Sequence, residues 1–214
     1  MSFPKFNLKN KRFAKESIVY RWVFNNLAVL ILILLVISTI LIYFIHFYYY
    51  NSTEQYLKSK LTTITSVLSK YSTDTTKNFS TEVRNMVETF SDKNKMELMA
   101  INTKGKVVIT SSGFSPDTLI VMSDFDNAMK SKGFGIWTGI SENNEKIMAV
   151  SYPVSAKNSD YSAMRVVVSL ADIDSTITTM TLIIIACCML VLTPLIFSGV
   201  YFVGSIVKPV QKLN

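Results

Sequence analysis

Two long stretches of this 214-residue chain carry no Lys, Arg, Asp or Glu: Trp22 to Thr53, which holds the chain's single histidine, His46, and Ser175 to Val207. Each exceeds the ~20 apolar residues that cross a bilayer. The pattern predicts membrane helices over 22–47 and 175–205, with an exposed domain over 48–174 between them. After Asn51 the apolar positions become helical. Leu57, Leu61, Ile64, Leu68 and Tyr71 are spaced four, three, four, three, which is a heptad seam. Phe79, Val83, Met86 and Phe90 resume that rhythm one residue out of register at Asn78, as in a stutter or a change of packing partner. A helix is expected over 52–92. Its seam suits two partners: a second copy, with the helix as a dimer stalk continuing the first membrane helix, or the chain's own sheet. Two heptads do not separate these.

From Met96 the period shortens. Runs of β type are expected at 96–101, 106–111, 134–140, 146–154 and 161–170, broken by turn residues. Gly105 can take the positive φ of a tight hairpin between the first two, and 123–132 reads as a short helix. The order is a long helix, two strands, a short helix and a three-strand meander. It predicts an α+β domain with a five-stranded antiparallel sheet over 96–170.

Composition and charge sharpen this picture. At 49% hydrophobic and 17% charged residues, the apolar blocks exclude a cytosolic enzyme or a secreted domain. The basic tail, 1–21, holds Lys5, Lys9, Lys11, Arg12, Lys15 and Arg21 against Glu16, a net of +5, and Lys208 and Lys212 add +2. Lys and Arg beside membrane helices stay cytoplasmic. Both termini are therefore expected in the cytoplasm and the central domain outside the cell. The two ends account for the whole +7, so the domain between is neutral and no nucleic-acid partner is expected.

The apolar stretch Leu27 to Phe47 is longer than the ~7–15-residue core of a cleaved signal peptide, and Tyr48, Tyr49 and Tyr50 follow it instead of small residues. These tyrosines suit the outer interface, and Trp22 the inner one. Pro194 in the second block is tolerated with a kink. The two cysteines, Cys187 and Cys188, are adjacent inside that block, so no disulfide framework holds the domain.

Catalytic chemistry finds little footing. Gly133, Gly135 and Gly139 match no phosphate-loop spacing, which leaves flexibility at the start of a strand. Asp117, Asp124 and Asp126 suggest a cation site, but Ser123 followed by Asp124 and Asp126 also reads as a helix cap with acids in the first turn. With no cysteine or histidine in the exposed domain, a zinc or transition-metal site is not expected. No histidine is available there to activate a serine either. No catalytic residue, metal or cofactor is expected in this chain.

The stretches 97–108, 148–154 and 164–170, in this order of elements, resemble the extracytoplasmic PAS-like sensor domains of the single Cache type. These occur in transmembrane histidine kinases and chemoreceptors, and the chain looks most like sensor kinases of Gram-positive, clostridial-type bacteria. Val207-Lys208-Pro209-Val210-Gln211-Lys212-Leu213 looks like the opening of a HAMP linker, over 206–214. The resemblance covers essentially the whole chain. It implies the sensing half of a two-component histidine kinase, working as a homodimer in membrane lipid. Such a receptor responds to an extracellular small molecule or protein and signals to a response regulator. The kinase part, with its ATP and Mg, would follow the linker, so the chain is either part of a longer protein or a truncated product. The N-terminal part of a methyl-accepting chemotaxis receptor, or a stand-alone modulator forming mixed dimers, are the alternatives.

The resemblance also implies a ligand held on one sheet face beneath the short helix. Trp137, Tyr152, Tyr161 and Arg165 are the candidate lining. Arg165 interrupts an apolar run, and its guanidinium suits a carboxylate. Strand alternation alone would place it on a solvent face with Ala163, leaving Met164, Val166 and Val168 for the core. The arginine, tryptophan, tyrosine and aspartate arrangement of amino-acid-binding Cache domains is not found. Asp172, Asp174, Pro194 and Pro209 are the expected relay from the domain through the second membrane helix to the linker.

Overall fold

The computed structural model describes residues 18–71, 76–113, 122–141, 144–154 and 160–202. Asp117, Pro209, most of the basic tail and the HAMP-like stretch lie outside them. In chain order the elements are α1 (Ile18–Tyr71), α2 (Thr76–Glu88), β1 (Glu97–Asn102), β2 (Val107–Thr110), α3 (Ser123–Ser131), β3 (Gly135–Ile140), β4 (Lys146–Pro153), β5 (Tyr161–Ser169) and α4 (Ala171–Phe202). The chain divides into a membrane-type unit, Met1–Ile45 with Thr179–Asn214, and a second unit, His46–Thr178.

In the first unit, α1 and α4 are both long and apolar enough to cross a membrane. Side chains such as Phe44, Leu190 and Phe197 are exposed, as lipid-facing residues are in the absence of a bilayer. The Oγ of Ser38 donates to the Leu34 carbonyl at 2.7 Å and lies 3.0 Å from Cys188 Sγ on the other helix. Pro194 sits inside α4 without ending it.

The second unit is α+β. Its sheet has five antiparallel strands in the order β2-β1-β5-β4-β3, so the last strand in sequence is the central one. The expected strands and short helix form within a residue or so of their anticipated positions. Local chemistry explains the first hairpin. Gly105 takes a φ of +73°, and the side-chain oxygen of Asn102 accepts from the Lys104 and Lys106 amides.

One sheet face packs on α1 and α2. Leu57, Leu61 and Leu68 of α1 and Phe79, Val83 and Val87 of α2 are buried against Leu98, Ala100, Met148, Val150, Met164 and Val166. The heptad seam thus lies on the chain's own sheet, and Leu57, Leu61 and Leu68 have no exposed surface to offer a second copy. The helix expected over 52–92 is described as two elements, α1 ending at Tyr71 and α2 beginning at Thr76, and the register shift at Asn78 falls inside α2. A seam binds whichever apolar surface is nearest at high effective concentration, which here is the sheet joined to it.

The opposite face is covered as well. Ile101 and Ala163 pack with Met122 beneath α3, with Val107 and Phe125 at the edge. The approach of α3 depends on Gly135: a Cβ there would lie 1.8 Å from the Asp124 carbonyl oxygen and 2.5 Å from the Ala128 nitrogen. Only a glycine admits a helix backbone this close to a strand. Gly139 has a related role, for the Trp137 ring lies over it, 2.3 Å from where a Cβ would be. Of the three glycines expected to loosen the start of this strand, Gly135 makes room for α3 and Gly139 for Trp137, while a Cβ at Gly133 would meet nothing closer than 3.8 Å.

Candidate functional site

Arg165 alternates with its neighbours as expected, on the face opposite Met164 and Val166, but that face is not open to solvent. α3 roofs it, and Arg165 is 2% exposed. A guanidinium there requires a counter-charge, which comes from Asp124 in the first turn of α3. Arg165 Nε donates to Asp124 Oδ2 at 2.8 Å and Nη2 to Oδ1 at 3.0 Å, while Ser151 Oγ donates to Oδ2 at 2.6 Å. Ser151 stands beside Arg165 in the β4–β5 register and beside Gly135 in the β3–β4 register. One transverse row of the sheet therefore holds the arginine, the serine and the glycine that lets α3 down onto them.

This corrects two readings. Ser123 is not the cap: the residue preceding α3 is Met122, with no side-chain capping bond, and although Asp124 and Asp126 do lie in the first turn, Asp124 is fully buried in the ion pair. Arg165 does not face solvent. Its bidentate partner is internal, occupying the geometry a ligand carboxylate would take.

The four candidate lining residues do not share one pocket. Trp137 is half-buried on the α3 face, in the row next to Arg165. Tyr152 and Tyr161 belong to the opposite side, within the core beneath α1 and α2. Tyr152 packs on Phe134 with ring centroids 4.7 Å apart. Burial pushes the Tyr161 phenol above its usual value, against the opposing influence of Arg84.

A second cluster, inside this unit, joins α1, β4 and α4. The Tyr50 hydroxyl donates to Asp174 Oδ1 at 2.7 Å, and Lys146 Nζ donates to Asp174 Oδ2 at 2.9 Å. Lys146 also stands 5.1 Å from the Tyr50 ring centroid, and His46 stacks on that ring at 4.3 Å. The Leu170 amide donates to the Lys146 carbonyl at 2.8 Å, so backbone and side chain both tie β4 to the start of α4. Burial alone would raise the Asp174 carboxyl, but the bonds from Tyr50 and Lys146 outweigh it and hold the carboxyl below its usual value. The bonds to Tyr50 and then to Asp174 hold the Lys146 ammonium above its own. Asp172, two residues earlier in α4, is exposed. Of the expected relay residues, Asp174 thus joins three elements, Asp172 lies in the first turn of α4 where it complements the dipole, and Pro194 stays within the membrane-type unit. Sequence reasoning missed Tyr50 and Lys146. Among the described residues no group of three or more His, Cys, Asp or Glu is placed to hold a metal ion.

No protein-family model matches the chain, and no curated protein matches it. Among solved structures it is similar to the sensory domain of the Campylobacter jejuni chemoreceptor Tlp3 with isoleucine bound, at 12% identity and a TM-score of 0.47, over 74% of this chain and 66% of that one. It is also similar to the ligand-binding domain of the Pseudomonas aeruginosa PAO1 amino-acid chemoreceptor PctC in complex with GABA, at 13% identity and a TM-score of 0.40, over 60% of this chain and 57% of that one. The chain thus spans about three fifths to two thirds of the length of these neighbours.

Proposed function

We propose that this chain is the sensing and transmembrane part of a membrane signal receptor of the two-component histidine-kinase type. It has an extracellular sensor domain, both termini in the cytoplasm, and a homodimeric working state. The observation that carries this reading is the junction at Leu170. The central strand β5 ends at Ser169 and α4 begins at Ala171, so one residue separates the middle of the domain from a helix apolar enough to span a bilayer.

A stimulus that displaces α3 acts on β5 through the Asp124–Arg165 pair. β5 then moves Leu170 and Asp174, and Asp174 exchanges its bonds with Tyr50 and Lys146. Such a relay needs two arrangements that the stimulus stabilises unequally. The linker at Pro209 would deliver the change to a kinase part that binds ATP and Mg and phosphorylates a response regulator.

Two measurements test this. In a background with Cys187 and Cys188 replaced by serine, a cysteine at Lys130 should react with a membrane-impermeant maleimide in intact cells, and cysteines at Lys5 or Lys212 only after permeabilisation. A hybrid joining residues 1–214 to the dimerisation and ATP-binding parts of a histidine kinase should autophosphorylate. Labelling of Lys5→Cys in intact cells, or an inert hybrid, would contradict the proposal.

A further inference from the structure

A cleft of about 340 Å³ opens between the second half of α1 and the end of β4. It lies on the sheet face opposite Arg165 and Asp124. Thr62, Thr65 and Ser66 form one wall, Tyr152 and Pro153 the other, and Phe79 contributes from α2. No charged side chain lines it among the described residues. The size falls within the ~300–1,000 Å³ of small-molecule sites.

The hydroxyls are arranged in one sense. Thr62 Oγ1 donates to the Lys58 carbonyl at 2.8 Å, Thr65 Oγ1 to the Leu61 carbonyl at 2.8 Å, and Ser66 Oγ to the Thr63 carbonyl at 2.8 Å. Each O–H is spent on its own helix, and the oxygen lone pairs remain as acceptors. The wall across from them is carbon-rich, with the Tyr152 ring set by its contact with Phe134. A ligand here must bring several donors on one side and a C–H face on the other. An uncharged ligand suits it best, because neither a carboxylate nor an ammonium would find a counter-ion among the described lining residues.

From this chemistry we propose that the cleft is a binding site for a neutral sugar, its hydroxyls donating to Thr62, Thr65 and Ser66 and its C–H face lying against Tyr152. The inference deepens the receptor reading, on which it rests, by naming the class of stimulus and a site distinct from the Arg165 face. The cleft joins α1 to the end of β4, and both elements continue to the Tyr50–Asp174–Lys146 cluster, so an occupant has a route to it.

The test is isothermal titration of the full chain in nanodiscs with glucose, N-acetylglucosamine and maltose, and with glucuronate as a charged control. At least one neutral sugar should bind saturably, more tightly than glucuronate. The double substitution Thr65→Val with Ser66→Ala removes two acceptors from partly exposed positions and should weaken binding roughly tenfold or more. Tyr152→Leu should do the same, whereas Trp137→Phe on the other face should leave the affinity unchanged. Binding of none of the three sugars, tighter binding of glucuronate, or affinity that survives Thr65→Val with Ser66→Ala overturns the proposal. A negative result here leaves the hybrid-kinase test standing, since basal autophosphorylation needs no ligand.

Discussion

The hydroxyl of Tyr50, on the helix that enters the α+β unit, donates to Oδ1 of Asp174, on the helix that leaves it, at 2.7 Å across 124 residues of sequence. Lys146 completes the cluster from β4 at 2.9 Å. Entrance, exit and sheet are therefore joined at one carboxylate.

This cluster has a defined pH window. Asp174 is held below its usual value, so its contribution is present above the unfolded carboxylate value, ~3.9, and is lost as pH falls through the lower folded value. Lys146 is held above its usual value, so its contribution is present below ~10.4 and is lost as pH rises through the higher folded value. Stability from the cluster should be flat across neutral pH and fall at both extremes. Asp174→Asn should remove the cluster's share of the acid limb in thermal unfolding followed against pH. Both side chains are more than a third exposed, so the effect is modest.

The buried pair beneath α3 predicts an asymmetry. Asp124→Leu or Arg165→Met alone leaves an uncompensated partner and should cost about 3–5 kcal/mol. The double change Asp124→Leu with Arg165→Met should restore most of that loss. Denaturant midpoints of the three variants check this, and an additive double mutant would show that the two side chains do not interact.

Gly135→Ala should destabilise by about 3 kcal/mol, because the new methyl meets α3 backbone and the helix must lift. Gly133→Ala, whose nearest neighbour would be 3.8 Å away, should change the midpoint little. The contrast between two glycines two residues apart isolates the close approach from glycine's flexibility.

Leu61→Ala should cost about 2–5 kcal/mol by opening a cavity against the chain's own sheet. Its oligomeric state, measured by light scattering in detergent, should not change. A dissociation without loss of stability would restore Leu61 to a dimer seam.

The strands and α3 were legible in the sequence because alternation and turn chemistry are local: Asn102 and Gly105 fix one hairpin with their own backbone. The partner of the α1 seam was not legible, since heptad spacing encodes an apolar stripe and not what covers it. The Asp124–Arg165 pair spans 41 residues, and it forms only once α3 folds across a face that alternation alone leaves open. From sequence, Ser123 with Asp124 and Asp126 reads as a capped helix start whose acids complement the dipole, and nothing local shows that Asp124 turns inward. The available signal was Arg165 itself, for an arginine inside an apolar strand needs a buried acid, and Asp124 was among the few carboxylates near a sheet face. Tyr50 resembles its neighbours Tyr48 and Tyr49 in sequence, and only its bond to Asp174 sets it apart.

The most direct test of the relay is autophosphorylation of the hybrid kinase carrying Asp174→Asn, Tyr50→Phe or, as control, Asp172→Asn. If the proposed relay runs through this cluster, the first two should shift basal activity in the same direction by roughly fivefold or more, and Asp172→Asn should leave it unchanged. Equal activity in all three and in the parent would contradict the account.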